Sequence, residues 1–196
     1  MRTQVGIVGA GPAGLMLSHL LHLEGIESII LENRSRAYIE GRIRAGLIEH
    51  WARHLLIKTA VAERLERESL FHRGIHLCFD DALHHIDFMK LVGQGVTVYG
   101  QQEVIKDLVA RRLSDGGQIL FEVADVAVHD VTGTAPRITF KHDGKAQEIV
   151  CDAIGGCDGF HGICRPAMEK VLTVYEREYP FGWLGILAEA KPVDEE

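Results

Sequence analysis

The chain has 196 residues, 46% hydrophobic and 25% charged, which is enough apolar content for an ordinary soluble domain with its own core, and one domain is the default. Its net charge of -7 leaves no surplus of clustered Lys and Arg to neutralise phosphates, which excludes a nucleic-acid binder. No stretch approaches a bilayer span and the N-terminus lacks the pattern of a signal peptide, while Cys78, Cys151, Cys157 and Cys164 form no CxxC pair. Membrane and export readings therefore drop out, and free thiols in a reducing cytoplasm are the expectation.

Gln4 to Val8 is a short apolar run that stops at Gly9, the pattern of a buried strand in a parallel sheet. Ala13, Leu17, Leu20 and Leu21 then recur at helical spacing, and Gly25 stands where a left-handed cap belongs. Ile26 to Leu31 reads as a second strand, which completes a right-handed βαβ unit within about thirty residues. From Gly46 to Leu70 the pattern is mostly helical, with Leu47, Trp51 and Leu55 on one side and a charged second half, Glu63 to Glu68; two helices or one bent helix both fit. Ile75, Leu77 and Phe79 alternate, Asp80-Asp81 makes a turn, and Ile86 and Phe88 continue on a return strand, so a hairpin is expected. Gln102 to Leu113 is helical again and ends at Gly116-Gly117. Between Ile119 and Val150 three alternating strands, separated at Thr132-Gly133 and Asp143-Gly144, predict an antiparallel meander.

The sequence Gly9-Ala10-Gly11-Pro12-Ala13-Gly14 is GxGxxG, set between the first strand and the first helix. In that context Gly9 permits the tight turn, Gly11 lets backbone approach a pyrophosphate, and Gly14 lets helix and strand pack closely. The helix N-terminus then offers unpaired N–H groups and partial positive charge to the anion. Glu32, at the end of the second strand, is placed to accept hydrogen bonds from an adenosine ribose. The motif alone leaves FAD and NAD both open, because the two share a pyrophosphate and an adenosine.

Four further segments carry a family resemblance: Gly41-Arg42-Ile43-Arg44-Ala45-Gly46, Val98-Tyr99-Gly100-Gln101, Gly156-Cys157-Asp158-Gly159-Phe160-His161-Gly162 and Tyr179-Pro180-Phe181-Gly182-Trp183-Leu184-Gly185. With them the whole chain resembles the 4-hydroxybenzoate 3-monooxygenase family of FAD-dependent aromatic-ring monooxygenases. The resemblance implies an α/β fold: a Rossmann-type FAD-binding domain with a parallel sheet and an antiparallel β-meander, incomplete relative to the full-length family. Residues 1–178 would be the N-terminal part of that domain and residues 179–196 the start of a substrate domain. The family hydroxylates 4-hydroxybenzoate to 3,4-dihydroxybenzoate with FAD, oxygen and NADPH, or in some members NADH.

By the same resemblance, Glu32 would hold the ribose, Ala13 would offer its backbone to the pyrophosphate, and Arg42, Ile43, Arg44, Ala45, Gly46 and Leu47 would line the flavin dinucleotide with Gln101. The guanidinium groups of Arg42 and Arg44 suit phosphate oxygens, with which they form forked, charge-assisted bonds. Asp158 and Gly159 resemble the family's Asp-Gly motif near the FAD pyrophosphate and the NADPH path, with Arg165 in support. Cys164 stands where serine is common, and a thiol is the poorer donor. Asn33, Arg34, Tyr38, Arg42, Arg44 and His161 would lie near the nicotinamide dinucleotide, and Arg34 with Arg36 could meet a 2′-phosphate, which favours NADPH.

No metal site is expected. His50 and His54 are four apart but lack the HExxH order and a third ligand; His72 with His76 and the adjacent His84-His85 fall in extended segments. Cys157 and Cys164 read as small apolar fillers. No catalytic residue is assigned here, because the family's substrate-contacting groups lie further along the sequence, and the chain reads as a shortened product with weak FAD retention on its own. Two alternatives stay open, a related phenol monooxygenase and a non-catalytic FAD-binding module. The partner expected for a full-length enzyme is a small aromatic substrate; a homodimer is left open.

Overall fold

A computed structural model describes residues 1–182 and 184. Position 183 and positions 185–196 lie outside the described residues, so most of the expected substrate-domain start is not among them. In chain order the elements are β1 (Val5–Val8), α1 (Pro12–Leu23), β2 (Ser28–Leu31), α2 (Arg36–Gly41), β3 (Leu47–Ile48), α3 (His50–Lys58), α4 (Glu63–Glu68), β4 (Leu70–His72), β5 (Gly74–Phe79), β6 (Ala82–Asp87), α5 (Phe88–Val92), β7 (Val96–Val98), α6 (Gln101–Ser114), β8 (Gln118–Leu120), β9 (Ala124–His129), β10 (Arg137–His142), β11 (Lys145–Val150), β12 (Ala153–Gly156) and α7 (Cys164–Ala167). They fall into two compact units, one of Met1–Arg42 with Ile105–Tyr179 and one built on Ile43–Val104.

The first unit holds a four-stranded parallel sheet in the order β12-β1-β2-β8. Successive side chains of a strand face opposite ways, and each face of this sheet has its own cover. Val8, Ile29 and Leu31 form a core cluster with Ile138, Phe140 and Ile149 of the antiparallel meander β11-β10-β9. Gly6 belongs to that face, where a Cβ would stand 2.7 Å from Ile138 Cδ1. On the opposite face Gly155 lies under Leu17 of α1, and Ile7, Ile30 and Leu15 are fully buried. The α1 helix ends at Leu23 with Glu24 as its C-cap, and Gly25 follows at φ +71, as its position in the sequence predicts.

The expected meander is real but starts later. Ile119 lies on β8, which pairs parallel with β2, and the meander's first strand begins at Ala124. The break between them falls at Glu122, a non-glycine residue at φ +59 that sequence does not mark as a turn.

The second unit contains the sheet β3-β7-β4 and the hairpin β5-β6. Asp80 and Asp81 both have positive φ, 51 and 55, the paired left-handed conformation of a tight hairpin turn. The return strand ends at Asp87, one residue short of the expectation: its carboxylate accepts from Lys90 N at 2.9 Å and caps α5, which takes in Phe88. In the stretch expected to be mostly helical, α3 and α4 are separate helices. Leu47 instead pairs with Val98 as a strand, Trp51 is 67% exposed, and Leu56 is the buried residue of α3. Strand pairing with a distant partner overrides the local apolar period at Leu47. The three-residue β7, to which those pairs are made, carries too short a signal to read locally.

Candidate functional site

The glycine turn sits between β1 and α1, at the end of a parallel strand where an α/β sheet opens a crevice. Gly9 has φ +102 and donates its N–H to Leu31 O at 2.8 Å, which ties the turn to β2. A Cβ on Gly9 would collide with the carbonyl of Cys157, so no other residue fits there. Gly11 is the extended N-cap of α1, and a Cβ there would meet nothing within 4 Å: space is open above the turn. The first intrahelical bond runs from Leu15 N to Gly11 O at 3.0 Å, so the N–H groups of Ala13 and Gly14 precede the ladder, and no acidic side chain occupies the first turn. Gly14 is pressed onto the backbone of Gly9, with a Cβ there 3.2 Å from Cys157 Cβ, the close helix packing its place in the motif predicts.

Glu32 follows β2 directly and is 8% exposed. Its Oε2 accepts from Ala10 N at 2.8 Å and its Oε1 from Arg34 N at 2.9 Å, so two main-chain donors hold the carboxylate beside the glycine turn. Each oxygen keeps a lone pair for a further donor such as a ribose hydroxyl. Asp158 and Gly159 come to the same turn because β12 pairs with β1: Cys157 N donates to Val8 O at 2.8 Å, and a Cβ on Gly9 would stand 3.0 Å from Asp158 Cα. Asp158 Oδ2 accepts from Cys164 N at 3.0 Å, and Gly159 has φ +80 with open space beside it.

In the same unit Ser35 caps α2 by accepting from Tyr38 N at 3.2 Å, and two guanidinium groups face the Tyr38 ring, Arg34 at 5.2 Å and Arg42 at 5.8 Å. Arg36 is paired with Glu40, Nε to Oε1 at 2.7 Å. His161 stands edge-on to Phe160, ring centroids 4.9 Å apart. Arg165 does not support Asp158 as expected. It lies over Phe160 at 4.2 Å and pairs with Glu176 at 2.8 Å, because an exposed ring and an exposed carboxylate offer it a cation–π and an ionic partner.

In the second unit the segments around Gly46 and Gly100 meet. Tyr99 N donates to Gly46 O at 2.7 Å, and a Cβ on Gly46 would stand 2.6 Å from Gly100 Cα. Gln101 begins α6 immediately after, and Leu47 pairs with Val98. Ile43, Arg44 and Ala45 are exposed in the irregular run before Gly46.

All four cysteines are free. Burial and the neighbouring Asp158 push the Cys164 thiol up to about 12, and the same two causes raise Cys157, so both are neutral fillers. Cys164 nonetheless serves Asp158 through its main-chain N–H, so the loss of a serine hydroxyl leaves that contact in place. Among the described residues no group of three or more His, Cys, Asp or Glu side chains could hold a metal ion. The histidines of the hairpin stack instead, His76 on His85 with centroids 4.6 Å apart and His84 on Phe79 at 3.8 Å. No helix among the described residues is long and apolar enough to cross a membrane.

A parallel sheet whose first strand opens through a glycine turn into a helix, with an acid fastened beside that turn, defines a dinucleotide-binding α/β protein, and the cofactor type follows from comparison. Residues 2–196 match the family described as FAD binding domain, and the chain belongs to that family, whose cofactor is FAD. It is similar to the p-hydroxybenzoate hydroxylase of Acinetobacter baylyi, 44% identical over 100% of this chain and 49% of that protein. It is also similar to the FAD-dependent monooxygenase dpfgE of Gibberella zeae, 31% identical over 86% of this chain and 37% of the relative. Among solved structures, the OxyS anhydrotetracycline hydroxylase of Streptomyces rimosus superposes with a TM-score of 0.73 at 25% identity, over 86% of this chain and 34% of that one. The chain thus spans about half the length, or less, of the curated relatives it matches.

Proposed function

We propose that this chain supplies the FAD-binding part of an aromatic hydroxylase that converts 4-hydroxybenzoate to 3,4-dihydroxybenzoate with NADPH and oxygen. The observation that carries the reading is the open space at Gly11 between unpaired helix N–H groups and a Glu32 carboxylate already aligned by Ala10 and Arg34. A diphosphate fits the first and an adenosine ribose the second. The 44% identity to p-hydroxybenzoate hydroxylase supports the substrate and reductant.

In this reading Gly9, Gly11, Ala13 and Gly14 hold the pyrophosphate through backbone, and Glu32 takes the ribose hydroxyls. Asp158 and Gly159 border the same turn, while Arg42, Ile43, Arg44, Ala45, Gly46, Leu47 and Gln101 line the remainder of the FAD. Bound FAD supplies hydride acceptance and oxygen activation, which no side chain of this composition can supply. Arg34, Tyr38 and Arg42 present a cationic, aromatic face suited to the charged end of NADPH, with His161 beside its path. The expected location is the cytoplasm.

The test is spectroscopic and then kinetic. On titration with FAD the purified protein should shift the flavin absorption band and change its fluorescence relative to free FAD, and the whole enzyme should oxidise NADPH in a 4-hydroxybenzoate-dependent manner with matching 3,4-dihydroxybenzoate. Saturating FAD without any spectral change would refute the FAD assignment; flavin binding with NADPH oxidation stimulated only by another phenol would refute the substrate.

A further inference from the structure

Behind the glycine turn, the first unit holds a buried polar chain that the cofactor reading does not use. Arg112, in the last turn of α6, is 4% exposed, and its Nε donates to Ser18 Oγ on α1 at 3.0 Å. Ser18 Oγ in turn shares a hydrogen bond with Ser28 Oγ, the first residue of β2, at 2.8 Å. Gly117 closes over the guanidinium, where a Cβ would stand 2.8 Å from Nε, and its N–H returns to Arg112 O at 2.8 Å. Nη1 is buried without a partner among the described residues. Burial lowers the affinity of Arg112 for its proton, and Asp115 opposes that effect.

A buried cation whose hydrogen bond goes to a neutral hydroxyl, and whose desolvation the Asp115 carboxylate offsets only in part, is a poor way to add stability, because apolar side chains of the same volume pack there without desolvating a charge. The best-attested use of such groups is to fix register. Ser28, Ile30 and Glu32 lie at alternate positions, so Ser28 and Glu32 share one face of the strand direction that α1 covers. The helix is therefore fastened to this strand at two heights: Ala10, just before it, on Glu32, and Ser18, within it, on Ser28. A helix that slipped by one residue would travel about 1.5 Å, more than the roughly 0.5 Å tolerance of a preorganised binding site.

We propose that Arg112, acting through Ser18 and Ser28, is a positioning residue for the dinucleotide: it fixes where α1 sits along β2 and so sets the spacing between the glycine turn and the Glu32 carboxylate. This rests on the FAD reading above. A ligand that uses both the turn and the acid depends on that spacing, whereas one that uses the acid alone does not. FAD and ADP belong to the first kind and adenosine to the second.

The experiment compares the wild-type protein with Ser18→Ala/Ser28→Ala/Arg112→Met, which replaces the whole chain by apolar groups, and with Ser28→Ala, which cuts only the helix-to-strand link. Calorimetry gives Kd for FAD, ADP and adenosine, and thermal unfolding of the apo protein is followed alongside. The expected result is an unfolding midpoint near wild type, with FAD and ADP about tenfold weaker and adenosine within about twofold. A folded triple variant with wild-type affinity for FAD and ADP overturns the inference, as does an equal loss for ADP and adenosine, which marks general loosening. If the triple variant does not fold, the same comparison on Ser28→Ala decides in the same way. Failure of the FAD site itself shows separately, as no measurable binding of FAD to the wild-type protein, and overturns both readings.

Discussion

Glu32→Gln isolates the carboxylate from the shape of the site. The side chain is 8% exposed and accepts two main-chain N–H groups, from Ala10 at 2.8 Å and from Arg34 at 2.9 Å, one on each oxygen. Glutamine keeps one oxygen and turns an NH2 toward the other donor, so one charge-assisted bond is replaced by two opposed donors. Such a bond contributes roughly 1.5–3 kcal/mol, so the apo protein should lose about 2–3 kcal/mol, read as a lower urea midpoint at unchanged slope. The same exchange weakens acceptance of a ribose hydroxyl by a similar energy, which corresponds to about a 10- to 100-fold rise in Kd for FAD by calorimetry. Loss of stability with unchanged FAD affinity would show that the acid only braces the turn. No loss of either would refute the geometry on which the site is built.

Gly9→Ala places a methyl group against the Cys157 carbonyl at a backbone φ of +102 and should cost more than about 2 kcal/mol, seen as a lower unfolding midpoint before any cofactor is added. Ala60→Gly should act in the opposite sense. Ala60 is left-handed at φ 57, with Ala60 N on Ile57 O and Val61 N on Leu56 O closing α3, so glycine should add about 0.5–1 kcal/mol and raise the midpoint. Arg34→Ala should raise KM for NADPH about tenfold in the whole enzyme and leave FAD affinity unchanged; an equal effect with NADH would refute a role at the 2′-phosphate. Because burial and Asp158 push the Cys164 thiol up to about 12, it stays protonated at pH 8, below that value, and iodoacetamide should label exposed Cys78 first; rapid modification of Cys164 in the folded protein would contradict its packing.

The local grammar of the first thirty residues was sufficient for the part of the site that local grammar builds. A strand, a GxGxxG turn, a helix stopped by Gly25 and a second strand ending at Leu31, just before Glu32, are each written in near neighbours, because a tight turn, a helix cap and a buried strand are short-range demands. The meander and the hairpin were legible for the same reason, through alternation and their turn residues. Tertiary structure alone decided the rest. It placed Ile119 in the parallel sheet, drew Leu47 into a strand against Val98, and gave Arg165 to Phe160 and Glu176 rather than to Asp158. It also carried Asp158 to the glycine turn through the pairing of β12 with β1, and joined Arg112 to Ser18 and Ser28 in the buried interior. These choices depend on strand pairing and on partners for buried polar groups, both set by residues far apart in the chain, for which no local spacing carries the signal.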